Sequence, residues 1–257
     1  MTSDAPARKK SHSALESALE EKVHSTSTEE LREVAAHPKL TEELALALLA
    51  RRDIPQNVLE DLSKNGHVMK HRPVILGVVG HPRTPRHVSI PIARHLYTFE
   101  LMQLALTPSI AADVKMQVEE AIILRLESIS AGERLTLAKR GSTRVAAALL
   151  ADPEERVILA ALANPRLTEA WIVKAIMRDD AQRAFIEAAC RDKKWSLRRD
   201  IRIALVRNAQ TPLEYVAAFV HALPTQVLRD IQTHARLHAT ARMFLLDELH
   251  KRDERKT

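Results

Sequence analysis

Apolar residues along this chain return every three or four positions, and short polar breaks divide them into segments of helical length. The period predicts helices near 14–24, 28–36, 41–52, 55–64, 72–80, 85–95, 97–106, 109–128, 131–140, 142–151, 153–163, 168–178, 180–191, 196–207, 212–221, 223–234 and 237–250. No run alternates polar and apolar residues over strand length, so the expected fold class is all-α. Pro91, inside HVSIPIAR, is expected to kink or split its helix.

The breaks repeat as well. VAAHPKLTEEL (34–44), VVGHPRTPRHV (78–88), ALANPRLTEAW (161–171) and LVRNAQTPLEY (205–215) share one plan. An apolar helix ends at His or Asn, proline usually blocks its continuation, and Thr or Pro opens the next helix as N-cap or first-turn residue. His37, His81, Asn164 and Asn208 are thereby expected to act as caps. Pro38 and Pro82 stand 44 residues apart, as do Asn164 and Asn208, while Pro82 and Pro165 are separated by 83. In LLADPEERVILAAL, Asp152 reads as N-cap and Pro153 as the first helical residue. Ser27 and Glu30 fit a capping box.

Two or three helices in 42–44 residues is the period of HEAT and armadillo arrays, whose units bury their apolar faces by stacking on neighbours. The expected architecture is a right-handed α-solenoid of about five such repeats over residues 28–250. A flexible segment with a short helix, residues 1–27, precedes it, and a charged tail, 251–257, closes the chain. ANPRLTEAWIVKAI, GHPRTPRHV and RNAQTPLEYVAAF resemble the Asn-Pro-x-Thr-Pro units of bacterial leucine-rich-repeat-variant and HEAT-like proteins, over residues 28–235. That resemblance implies a fold and no particular activity. Some leucine-rich-repeat-variant proteins carry an N-terminal cysteine cluster for an iron–sulfur centre, and this chain lacks those cysteines.

Composition agrees with such an array. Leu, Ala, Ile and Val do the packing, since aromatics are 3% and glycines number five. The single cysteine, Cys190, excludes an internal disulfide and any Cys-based zinc or iron–sulfur site, and it reads as a buried apolar residue. His67/His71 and His234/His238 have the four-residue spacing of helical zinc ligands, but neither pair has the intervening Glu of a metalloprotease helix or an evident third ligand, so no metal or cofactor is expected. No stretch approaches a membrane span or the core of a signal peptide, from which a cytoplasmic protein without membrane contact is expected.

Charge changes the picture more. The net charge is +6, with −1 over residues 1–130 and +7 over 131–257. Residues 62–99 carry Lys64, Lys70, Arg72, Arg83, Arg86 and Arg94 without one Asp or Glu, and 191–210 carry seven cations against Asp192 and Asp200. Arg72, Arg144, Arg156 and Arg199 each lie eight or nine residues before a junction His, Asp or Asn. If matching offsets share a face, these arginines form a row suited to carboxylates or phosphates. The opposing reading gives each of them a carboxylate or carbonyl of the preceding unit. KKWSLRRDIR (193–202) adds Lys193, Lys194, Arg198 and Arg202, with Ser196 as a plausible N-cap. Cations at a helix start oppose its dipole, so either an anionic partner or a plain solvated face accounts for them. Trp195 reads as inter-repeat packing ahead of base stacking.

No phosphate-binding glycine loop, nucleophile elbow or paired-carboxylate motif is present, so a non-enzymatic role is expected. The leading expectation is a repeat scaffold holding an acidic protein or peptide. Its alternatives are backbone-led binding of DNA or RNA, favoured by the sequence pI near 9.6, and a HEAT-like DNA alkylation-repair glycosylase, for which Trp171, Trp195, Asp179, Asp180 and Asp200 would have to serve.

Overall fold

A computed structural model describes residues 17–234, 237 and 239–254. The expected flexible start at 1–13, the His234 side chain and His238 lie outside these residues. No strand occurs among them.

The chain forms two compact units, Met1–Leu124 and Arg125–Thr257. Unit 1 holds α1 (17–23), α2 (Thr28–Ala36), α3 (Glu42–Ala50), α4 (Gln56–Lys64), α5 (Arg72–Gly80), α6 (Arg86–Ala93), α7 (Thr98–Leu106) and α8 (Ala112–Ile123). Unit 2 holds α9 (Ala131–Arg140), α10 (Thr143–Ala148) running into a 3-10 turn (Leu149–Ala151), α11 (Glu155–Leu162), α12 (Glu169–Ile176), α13 (Arg183–Arg191), α14 (Arg199–Arg207), α15 (Leu213–Ala222), α16 (Thr225–His234) and α17 (Ala239–Glu254). Pro91 lies inside α6, which remains one helix and stops at Ala93. The last four residues of α17 belong to the stretch that the sequence suggested as tail.

Within each unit many helices pack on the next but one, and some, such as α7 and α8, on the next in the chain. In unit 1 the next-but-one pairs are α2 with α4, α3 with α5, α5 with α7 and α6 with α8. In unit 2 they are α9 with α11, α10 with α12, α11 with α13, α12 with α14 and α15 with α17. This two-layer stacking is the arrangement of an α-solenoid. The 44 residues from His37 to His81 span α3, α4 and α5, and those from Asn164 to Asn208 span α12, α13 and α14. The sequence period is therefore three helices, whereas the stacking period is two.

The junction residues explain how the helices register. Asn164, fully buried, accepts the Arg166 N–H on Oδ1 (2.8 Å) and donates Nδ2–H back to the carbonyls of Ala138 (2.7 Å) and Gly141 (3.3 Å) at the end of α9. Asn65 does the same towards Ala35 and His37, and Asn208 towards Ile176. His81 accepts the Arg83 N–H on Nδ1 and donates from Nε2 to the Arg51 carbonyl at 2.9 Å, the work of the neutral Nε2–H tautomer. An aspartate has no hydrogen to give back. At Asp192 the Trp195 indole takes over, donating Nε1–H to the Leu162 carbonyl at 2.8 Å. At Asp152 the Arg134 guanidinium donates into the carboxylate instead, at 2.7 Å.

Two local expectations are corrected, at Asp152 with Pro153 and at Ser196. Asp152 closes a turn by accepting the Glu154 N–H, and α11 starts only at Glu155, so Pro153 lies outside it. In the two Thr-Pro junctions the hydroxyls of Thr84 and Thr211 bond back to Val78 and Leu205 at 2.6 Å, and Pro85 and Pro212 hold the N-cap positions. Thr41 does cap α3, through the Leu44 N–H. Ser27 caps α2 through the Glu30 N–H. Ser196 is not the cap of α14, a position that falls to Arg198.

Candidate functional site: the α13–α14 loop and the α12–α14 groove

Of the eight cations in the expected row and the 193–202 stretch, Arg72 belongs to unit 1 and the other seven to unit 2. Arg72 is committed: its Nε donates to Glu100 (2.8 Å), an Nη pairs with the same carboxylate, and its guanidinium lies 4.4 Å from the Tyr97 ring centre. The Arg72 hydrogen bond holds the Glu100 carboxyl below the usual range against the opposing effect of burial. The carboxylate-free stretch around Arg72 meets several groups from other parts of the unit. His71 pairs with Glu42, Arg86 with Asp113 and His87 with Glu60, while Arg83 donates to the Asp53 carbonyl.

In unit 2, Arg156 pairs with Glu154 at 2.6 Å. Arg144 sits half-buried at the start of α10. Arg202 donates Nε–H to the Ser196 carbonyl (2.7 Å) and lies 5.9 Å from the Phe219 ring centre, so it ties the loop to the helix. Lys194 is exposed, with its ammonium 3.9 Å from the Trp195 ring centre. Trp195 itself is buried, as packing requires.

Lys193, Arg198 and Arg199 differ from these. All three are exposed, and none has an ion pair among the described residues. Asp192, next to Lys193, accepts the N–H groups of Lys194 and Trp195 on Oδ1 at 2.8 and 2.9 Å, and Asp200, next to Arg199, lines the α12–α14 groove. Leu197 stands among these cations with 68% of its surface exposed. Periodicity could not signal that exposure, because Leu197 precedes the helix whose buried positions are Ile201, Ala204, Leu205 and Val206.

Arg156 and Arg199 do not share a stack. Arg156 opens α11, in the α9–α11–α13 layer, and Arg199 opens α14, in the layer of α10 and α12. The Trp195–Leu162 bond sets the loop after α13 against the end of α11, about 9 Å along that helix from Arg156.

Beside the loop, α12 and α14 leave a groove of about 610 Å³. One stripe of each helix lines it: Glu169, Ala170, Val173 and Met177 from α12, and Asp200, Ile203, Ala204 and Arg207 from α14. Sequence reasoning passed over Arg207, which reads as one more last-turn cation. A second groove, about 540 Å³, lies in unit 1 over Gly77 and Gly80 of α5. There a Cβ on Gly77 would stand 2.8 Å from Leu49 Cδ1, and one on Gly80 3.2 Å from Leu104 Cδ2.

Burial pushes the Cys190 thiol up to about 12. No group of three His, Cys, Asp or Glu side chains among the described residues is placed to hold a metal ion. No described helix is long and apolar enough to cross a membrane. Comparison with family models, curated proteins and solved structures returned no match.

Proposed function

We propose that this protein is a non-catalytic helical-repeat scaffold, of the HEAT or leucine-rich-repeat-variant kind, that docks an acidic protein segment on the α13–α14 loop. The observation that carries this reading is the group Lys193, Arg198 and Arg199, left unpaired around the exposed Leu197. Elsewhere most of the cations named above have a carboxylate, a carbonyl or a ring. Three that face only solvent, close to an apolar side chain, suit a partner that brings both carboxylates and a greasy residue. A phosphate backbone supplies the first and lacks the second. The carboxylates Glu169 and Asp200 in the neighbouring groove also disfavour a polyanion of evenly spaced charge.

The test is a salt-dependent titration of the full chain with three probes: a fluorescent Glu- and Leu-containing peptide, a 20-base-pair DNA duplex and phosphatidylserine vesicles. The reading expects the peptide to bind tightest at 150 mM salt, and Lys193→Glu/Arg198→Glu/Arg199→Glu together to weaken it at least tenfold with an unchanged far-UV spectrum. Tighter binding of the duplex at that salt would replace this reading with nucleic-acid binding, and tighter binding of the vesicles with a membrane-surface role.

A further inference from the structure

The α12–α14 groove has features that helix packing alone leaves unexplained. The two helices lie end against end: the Asn208 side chain, just past α14, donates to the Ile176 carbonyl at the end of α12 at 2.6 Å. Their first turns supply Glu169 and Asp200, and their far ends supply Met177 and Arg207. The groove thus carries carboxylates at one end, a guanidinium at the other, and Ala170, Val173, Ile203 and Ala204 between them.

Inter-helix ion pairs are the rule in this molecule. Arg32 pairs with Asp61, Arg72 with Glu100, Arg134 with Asp152, Arg191 with Glu155 and Arg229 with Asp253. None of the three groove charges has a partner among the described residues. The Arg207 Nε–H is buried with no acceptor among the described residues, a condition that costs stability. Met177 is half exposed over the same opening. Favourable placement against the helix dipoles accounts for the signs of these charges. It does not account for the open volume or for the orphaned donor.

We infer that this groove is a docking site for a short extended segment of a partner protein, with a cation at one end, a carboxylate at the other and apolar side chains between. The inference goes beyond the cationic loop and does not depend on it. Complementarity sets the segment's direction: its Lys or Arg lies against Glu169 and Asp200, and its Asp or Glu takes the fork of Arg207 once that side chain turns outward. The separation comes from helix geometry. Seven residues from Asp200 to Arg207 rise about 10 Å, the reach of about three residues of extended chain. The pattern is therefore cation, two apolar residues, carboxylate.

A random hexapeptide display selection against the full-length protein, with titration of the synthesised winner, tests this. The expected result is enrichment of a cation and a carboxylate three positions apart around apolar residues. Arg207→Glu then weakens the winner at least tenfold, and a peptide with Lys in place of its carboxylate regains affinity for Arg207→Glu. Asp200→Lys, an exposed change at a helix start, gives the same readout from the other end. No enrichment, an enriched set without that charge pair, or affinity unmoved by both variants while the far-UV spectrum is intact overturns the proposal. Reversing Lys193, Arg198 and Arg199 should leave the winner's affinity within about twofold, which separates failure of the groove from failure of the loop.

Discussion

A buried amide such as Asn164 uses two of its hydrogen-bonding sides at once, one for its own turn and one for a carbonyl 26 residues earlier. Replacing it with Leu orphans those backbone groups, and the expected cost is about 2–4 kcal/mol, read as a lower urea midpoint. Gly141 is as unforgiving for a different reason. A Cβ there would stand 2.5 Å from the Leu137 carbonyl oxygen, which already accepts the Gly141 N–H at 2.7 Å. Gly141→Ala is expected to cost about 2 kcal/mol or more, and Gly132→Ala, with open space around it, to be neutral or mildly stabilising. Cys190, buried with its thiol pushed up to about 12, should react with a thiol reagent at pH 8 only as fast as the protein opens. At this scale the sequence was half legible. It marked His37, His81, Asn164 and Asn208 as junction residues because Pro and Thr come after them, but the backward reach of His81, Asn164 and Asn208 depends on which helix end stacks nearby. For the same reason Arg134, held by Asp152 and Glu154, looked like any helical arginine.

Among the helices, α5 and α7 are joined by Arg72 and Glu100, and that pair sets an expected response to pH. The Glu100 carboxyl is held low in the folded state, so its contribution is present above its unfolded pKa of about 4.3 and is lost as pH falls through the lowered folded value. Glu100→Gln should therefore lower Tm at pH 7 and flatten its decline between pH 5 and 3, which calorimetry at several pH values can check. The elements themselves were readable almost to their ends, because a 3.6-residue apolar period and a proline or glycine stop leave little choice. The starts of α8, α11, α13 and α14 were misplaced by two or three residues, and α8, expected to reach 128, ends at Ile123. Before α11 and α14 an aspartate folds a turn, and that turn looks like a cap from sequence alone.

At the scale of the molecule, the sequence repeats by threes and the structure stacks by twos. Equal offsets from equal junctions therefore do not guarantee a common face, and within unit 2 Arg156 and Arg199 belong to different layers. Their charge reversals are expected to act independently: if both affect a ligand of this unit, the double variant's loss should equal the product of the single losses within about twofold, as measured by titration. The cationic loop was legible as charge, since seven cations in twenty residues stand out. The groove was not, because its two walls are 31 residues apart in the chain and meet only through stacking.

That mismatch also constrains how such a chain can change length. An added copy of one 44-residue stretch brings an odd number of helices and would turn every later one inside out, presenting its solvent side to the core. Only insertions carrying an even number keep the downstream helices facing the way they did.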